Sequence, residues 1–429
     1  MNFSIIRRAL SEIRQQPLVG ALSIFGTAFA VFLAMIVMMT SQVKSVPFAP
    51  ESCRDNLFIG RYFHEAQIEG QSASSSGLSS AMARKIYGGL EGVDTIAFLM
   101  QPWEEETLVS NGSTSILLRH KLADGAFWSV FDHTFIAGRP YSDGAVESGI
   151  PEVVLTRSAA AELLGLSPDD ALGRIIVMGD REATVVGIVE DHTPLASYAY
   201  GDIFGPYTAF PTLSQDGTWS PHFGATVVAI MAKPGTTAEQ LKEQVKERYR
   251  RLEAELKPDN LRPIYHGGPM TLGEAVSTQG SNSEAEDTSW RTNLVIYLML
   301  ILVPAINLSS ITNSRLRHRT SEIGVRRAFG AHRSRIFAEL LAENFVVTLI
   351  GASIGLLLSF GIAWLCSDML FHISDYGISA TFSPLILINW PTVGFAVLIA
   401  FVLNILSTFI PAIHAARVNP VEAIAGRRS

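Results

Sequence analysis

Histidines, carboxylates and cysteines are the residue types from which catalytic or metal chemistry is built, and here none stands in a working pattern. His64, His120, His133, His192, His222 and His266 are scattered. No His-Glu-x-x-His places two imidazoles on one helix face, and no Gly-x-Ser-x-Gly elbow presents a nucleophilic serine. The run Glu104-Glu105-Glu106 reads as a solvated loop, because a metal cage needs ligands converging from separated positions. Cys53 and Cys366 are too few for a disulfide scaffold or a thiolate zinc site, and read either as one long bridge or as two unrelated thiols. No Gly-x-x-x-x-Gly-Lys-Ser/Thr loop is present to cradle nucleotide phosphates. The chain is therefore expected to be no enzyme and to hold no metal or cofactor; any use of ATP must belong to another chain.

One segment does concentrate charge at helical spacing. Between Asn313 and Glu343 run seven arginines and the sequence Thr320-Ser321-Glu322-Ile323-Gly324-Val325-Arg326-Arg327-Ala328-Phe329-Gly330-Ala331. Ser321 can cap a short helix, Ile323, Val325 and Ala328 give it an apolar side, and Gly330 can end it in the left-handed conformation. Glu322 and Arg326 are four apart and can brace one another across a turn. The plainer reading is a helical loop on the positive side of a membrane. Nucleic-acid binding lacks an accompanying recognition fold.

The elements that position this segment are apolar. The 429 residues are 48% hydrophobic and 17% charged, where a soluble domain carries about a quarter charged residues. Four stretches contain no charged residue: Gln15 to Val43, Thr292 to Ser314, Asn344 to Ser367 and Tyr376 to Ala416. Each exceeds the roughly 20 residues needed to cross a bilayer. The first is about twice the roughly 7 to 15 residues of a signal-peptide core, so it reads as a retained anchor.

Charge sets the orientation. Thirteen arginines and five acids flank the spans on one side, whereas Lys44 to Arg291 holds 20 Lys and Arg against 33 Asp and Glu. Positive residues stay on the cytoplasmic face, where anionic headgroups meet them, so both termini are expected inside and the large acidic region outside. The domains read as 1–17, cytoplasmic N-terminal helix; 18–43, first span; 44–290, outer domain; 291–314, second span; 315–340, cytoplasmic loop; 341–367, third span; 368–388, outer loop; 389–413, fourth span; and 414–429, cytoplasmic tail.

In the first span Gly26, Ala30 and Ala34 recur every four residues, and in the third Gly351, Gly355 and Ser359 do the same. Such stripes let helix backbones approach closely in lipid. Two readings stand for the first stripe, packing within one bundle and a dimer interface. Pro304 and Asn307 suggest a kink with a polar group turned inward. No acid or lysine is expected at mid-membrane depth, which argues against an ion-coupled carrier.

The outer region reads as α+β. Leu57 to His64 alternates like a strand, Gln71 to Gly77 reads as a turn, and Leu78 to Leu90 as a helix. Asn111-Gly112 between Thr107–Val109 and Ile116–Leu118 signals a hairpin. Val153 to Leu155, a helix from Ser158 to Leu164, and strands at 174–178 and 183–189 about Gly179-Asp180 follow. Ala225 to Ala232 reads as a buried strand. Thr236-x-x-Glu239 reads as a capping box opening a helix with the stripe Leu241, Val245, Tyr249, Leu252 and Leu256.

At Glu322, Ile323, Gly324, Arg326, Arg327, Ala328, Gly330 and Ala331 the sequence resembles the second intracellular helix of FtsX-like permeases of the MacB type. Pro411-Ala412, Ala415-Ala416-Arg417 and Asn419-Pro420-Val421-Glu422-Ala423 resemble that family's terminal signature, and Gly138-Arg139-Pro140, Val153–Leu155 with Ala160, and Gly173-Arg174 leading to Val185–Val189 resemble its periplasmic core. The resemblance implies a type VII ABC transmembrane subunit with four transmembrane helices in the inner membrane. It also implies a large α+β extracytoplasmic domain, a porter-like lobe with an inserted β-rich lobe, between helices 1 and 2. Only about 17 residues precede the first span, so the likeness shifts toward members with a separately encoded ATPase, such as the lipoprotein-releasing ones. The expected partners are two copies of an ABC ATPase docking at Ser321–Gly330, a second permease subunit, identical or paralogous, and membrane lipids, with a periplasmic adaptor or outer-membrane protein as a further candidate. The expected function is mechanotransmission serving export, efflux or lipoprotein release. The rivals are a regulator passing force to a cell-wall hydrolase and a true export channel.

Overall fold

In the computed structural model the residues described are 14, 17–45, 47, 49–70, 72–101, 106–214, 216, 220–277, 331–366 and 390–417, with isolated positions between 295 and 330. They fall into two units, a helical one and an outer domain. The long helix α1, Pro17–Ser45, belongs to the first.

The outer domain is two lobes sharing one sheet. Its strands are β1 Leu57–Gly60, β2 Tyr62–Gln67, β3 Ala73–Gly77, β4 Val93–Met100, β5 Glu106–Ser110, β6 Ser115–Ala123, β7 Phe135–Gly138, β8 Glu152–Thr156, β9 Ile175–Met178, β10 Arg181–Val189, β11 Ile203–Pro206, β12 Thr226–Ala232, β13 Leu261–Pro263 and β14 Met270–Thr271. The order β11-β8-β10-β9-β5-β6 closes on itself because β11 also pairs with β6. Closure removes the edges of this six-stranded run, and β7 branches from β10. From β6 the sheet continues through β4, β12, β1 and β14. Two helices cover that half, α2 Ser80–Tyr87 and α4 Ala238–Leu256; α3, Arg157–Leu164, follows β8 in the other lobe.

Strand β12 lies between the two cores and is buried almost throughout. Its Val228, Ile230 and Ala232 join the helices' apolar stripe Leu241, Val245, Tyr249, Leu252 and Leu256, while Val227 and Ala229 join the larger core of the β-rich lobe. Opposite sides of one strand thus serve opposite cores, as the two-residue repeat requires.

The Asn111-Gly112 hairpin forms with Leu108 opposite Leu117. Asn111 Oδ1 accepts from the backbone N–H of Ser113 and Thr114 at 2.9 and 2.7 Å, so the turn spans four residues rather than two. Three other expectations are corrected. Leu57 to His64 is two strands, because at Gly60 the backbone lies against Tyr87, whose Cζ would stand 2.4 Å from a Cβ there, and β2 leaves for a small sheet with β3 and β13. The Ser-rich 71–77 segment is largely strand, with β3 paired along β2 from Ala73 to Gly77. The capping box of α4 is Thr237 with Gln240, not Thr236 with Glu239. Thr236 instead donates to the Gly92 carbonyl at 2.8 Å.

The helical unit contains α1, α6 Arg333–Leu365 and α7 Trp390–Arg417. Among the described residues two segments are long and apolar enough to cross a membrane, Pro17–Thr40 and Ser334–Leu365, with a shorter apolar stretch at Val393–Phe409. The second expected span, with Pro304 and Asn307, lies largely outside the described residues. Helices α1 and α6 meet backbone to backbone: a Cβ on Gly351 would lie 2.7 Å from Thr27, and one on Gly355 2.3 Å from the Ala28 carbonyl oxygen. Glycine is what permits that approach.

Candidate functional site

His120, His133 and His192 lie in the core of the outer domain rather than in a catalytic grouping. His133 packs among Phe127, Trp128, His192 and Phe204 with ring centroids 4.9 to 5.4 Å apart. Burial lowers His133 to about 2 and His192 to about 4, and burial with nearby Lys121 lowers His120 to about 4. All three are neutral near pH 7, and their place is in the core. Burial raises Asp124 to about 6, although its Oδ2 accepts from the Phe98 N–H at 3.1 Å. Among the described residues no group of three His, Cys, Asp or Glu is placed to hold a metal. Cys53 and Cys366 are both free. The cleft lined by Arg61, His64, Tyr87, Tyr265 and His266 encloses about 40 Å³, room for a water or two.

What the outer domain does build is a buried tie between its incoming and outgoing chain. Just after α1 in sequence, Glu51 and Arg54 are both buried. Arg54 donates to Glu51 Oε2 from Nε at 3.1 Å and Nη2 at 2.7 Å, and from Nη2 to the Leu195 carbonyl at 2.8 Å. Glu51 Oε1 accepts from the N–H groups of Tyr198 and Ala199 at 2.8 and 3.2 Å. Burial pushes the Glu51 carboxyl up, against the pull of Arg54 and these donors. Arg61 meets the Tyr198 hydroxyl at 3.4 Å and donates to the Ala275 carbonyl at 3.0 Å. Ala275 lies in helix α5, Leu272–Ser277, the last described element before the second expected span. Strand β14, just before it, pairs with β1 at Phe58 and Ile59. One run of contacts, Arg54 to Glu51 to Tyr198 to Arg61 to Ala275, therefore joins both ends of the domain. Buried charges persist only when paired in this way.

In the helical unit the charged segment is held by α6. Arg326 Nη1 lies 3.1 Å from Glu339 Oε2, and Arg335 Nε 3.6 Å from Glu339 Oε1. Gly330 takes φ of 89°, and the Ala331 N–H donates to the Arg326 carbonyl at 3.1 Å, a bond that closes a helix end around a left-handed residue. Further along α6, Asn344 Nδ2 donates to Thr312 Oγ1 at 3.3 Å and Thr408 Oγ1 at 2.7 Å. Asn404 Nδ2 donates to the Leu341 carbonyl at 3.4 Å. Glu343, between these, is buried.

The model of the FtsX-like permease C-terminal region matches residues 294–420, and that of the MacB-like periplasmic core domain matches residues 21–248, more than half of the chain. The chain belongs to the FtsX-like permease family with a MacB-like periplasmic core domain. The permease is 28% identical over 296 residues to the macrolide export ATP-binding/permease protein MacB of Hahella chejuensis, covering 67% of this chain and 40% of that protein. It thus spans less than half of that relative's length. To the uncharacterized ABC transporter permease YknZ of Bacillus subtilis it is 22% identical over 431 residues, 98% of each chain. The crystal structure of the periplasmic region of MacB from Actinobacillus actinomycetemcomitans aligns with 48% of this chain and 88% of that one, at 13% identity and TM-score 0.33.

Of the residues singled out from sequence, Ser321, Glu322, Ile323, Gly324 and Arg327 lie outside the described residues, as does Glu104-Glu105. Arg326 and Gly330 are described, and the permease gives Arg326 a partner, Glu339, thirteen positions away. On the first-span stripe Ala30 and Ala34 are buried against the chain itself, 1% and 2% exposed, while Gly26 is half-buried. Sequence reasoning missed the Glu51–Arg54 pair and the Asn344 and Asn404 ties. The signal for the latter was available, two asparagines inside stretches with no charge, where a polar group needs a partner.

Proposed function

We propose that this permease is the membrane subunit of an ABC transporter complex in the inner membrane, with its large domain in the periplasm. Two copies of an ATPase carried on another chain bind ATP and Mg, dock at residues 321–330, and drive a pair of permease subunits. Their closure moves the helices, and the outer domain changes shape without substrate crossing the bilayer through it. Export, efflux or lipoprotein release is the service this performs. YknZ, aligned over 98% of both chains, supports an ATPase on another chain, and the arginine bias of the expected cytoplasmic segments supports the orientation.

The observation that carries the mechanism is the buried run from Arg54 to Ala275. A domain that is to be worked by two helices must receive both at a stiff base, and a fully satisfied buried ion pair is stiff because loosening it strands charge at a cost of about 3 to 5 kcal/mol.

The test is copurification of an ABC ATPase with full-length chain in detergent. Ile323→Asp sets an unpaired charge into the contact and is expected to release the ATPase while leaving the outer domain's melting unchanged. ATPase retained at the parent level by Ile323→Asp would overturn the docking assignment. In the assembled parent complex, ATP with vanadate is expected to alter the rate at which exposed Cys53 reacts with a maleimide in a Cys366→Ser background; no change would overturn the mechanotransmission reading.

A further inference from the structure

The Arg326 guanidinium donates to Glu339, which stands at the foot of α6. Its second oxygen faces Arg335 one turn back, so the carboxylate is held by two guanidinium groups, one from each segment. Five residues further along the same helix, about 7.5 Å of rise, Asn344 bonds Thr312 and Thr408. Asn404 returns a bond to Leu341 from α7, and Thr408 donates to Asn404 Oδ1 at 3.4 Å. Phe337 with Phe409, and Phe345 with Phe401, add edge-on ring contacts between α6 and α7 on either side of this knot. Five residues turn a helix by about 140°, so Glu339 and Asn344 serve different sides of α6. One end of α6 thus grips the charged segment, and the next turn grips the helices beside it.

We propose that Glu339 is the positioning residue through which residues 321–330 drive α6, and that Asn344 is the tie that makes α6, α7 and Thr312 move together. This rests on the ATPase-docking reading above. An ionic joint suits the task because Arg326 reaches Glu339 across the left-handed turn at Gly330, and because the pair is only part-exposed, which limits screening by water and salt. In lipid the asparagine amide has few alternative partners, so its bonds persist through a displacement.

The experiment uses full-length permease with its ATPase in nanodiscs. Hydrogen exchange at residues 321–330, ATPase copurification and permease control of ATP hydrolysis are measured together. Glu339→Gln keeps shape and removes charge. It is expected to retain the ATPase, to speed exchange at 321–330 about tenfold, and to weaken control of hydrolysis at least threefold. The exchanged pair Arg326→Glu with Glu339→Lys is expected to recover control relative to either single change, which a merely structural role would not produce. Asn344→Leu is expected to lose control with exchange at 321–330 unchanged. Glu339→Gln with parental exchange and control overturns the joint, as does an exchanged pair no better than its single members. A parent chain that fails to retain any ABC ATPase overturns the docking reading, and this inference with it.

Discussion

The three buried histidines make the outer domain acid-sensitive at a pH well above the usual carboxylate range. Their folded values lie below the ordinary 6.5, about 4 for His120 and His192 and about 2 for His133. The unfolded chain therefore takes up protons first, so the stability they allow is whole above pH 6.5 and is lost as pH falls. Between pH 8 and pH 5 each histidine costs about 2 kcal/mol. Asp124 works the other way: its folded value is raised to about 6, so acidification to pH 5 returns about 1.4 kcal/mol. From these four groups the loss is about 5 kcal/mol, an upper figure because burial also raises the Glu51 and Asp202 carboxyls, so the fall in melting temperature is at most about 10 to 20 °C for a domain of this size. His133→Phe isolates one contribution. The ring keeps its neighbours Phe127, Trp128 and Phe204, and Nε2, which has no partner among the described residues, is removed. The variant's loss between pH 8 and pH 5 is expected to be smaller by about 2 kcal/mol, or about 4 to 8 °C. Thermal melts of full-length protein, followed by tryptophan fluorescence, read it. Equal losses in parent and variant would refute the assignment of His133 as a group held neutral by burial.

Gly355→Leu is expected to destabilise the helical unit by about 1 to 3 kcal/mol through overpacking, because its Cβ meets the Ala28 backbone, whereas Gly361→Ala, with open space around it, should leave the melting temperature unchanged or slightly raised; differential scanning fluorimetry in detergent compares them. Thr237→Ala is expected to cost about 1 kcal/mol by removing the cap of α4, read as a lower urea midpoint for the outer domain with the slope unchanged.

Composition and period carried much of this protein. The uncharged stretches point to lipid, the environment that removes the cost of so many exposed apolar side chains, and the arginine bias predicts their orientation. The Leu241 to Leu256 stripe marked α4 because a 3.6-residue repeat already specifies which side is buried. The Asn111-Gly112 hairpin was legible because its turn chemistry is local. Partners across long sequence separations were not. Nothing in the local sequence of Glu51 and Arg54 announces the 195–199 loop that satisfies them. Glu322 stands at the right helical spacing for Arg326, but the described partner is Glu339, which only tertiary packing brings near. The small-residue stripes announced close helix contacts without naming the other helix, because a flat face fits a second copy as well as its own chain; only the folded chain sets the glycines of α6 against Thr27 and Ala28, which lie outside the first-span stripe. Short-range spacing determines element type and buried side, while the choice between equivalent partners is a global packing outcome that only the folded chain settles.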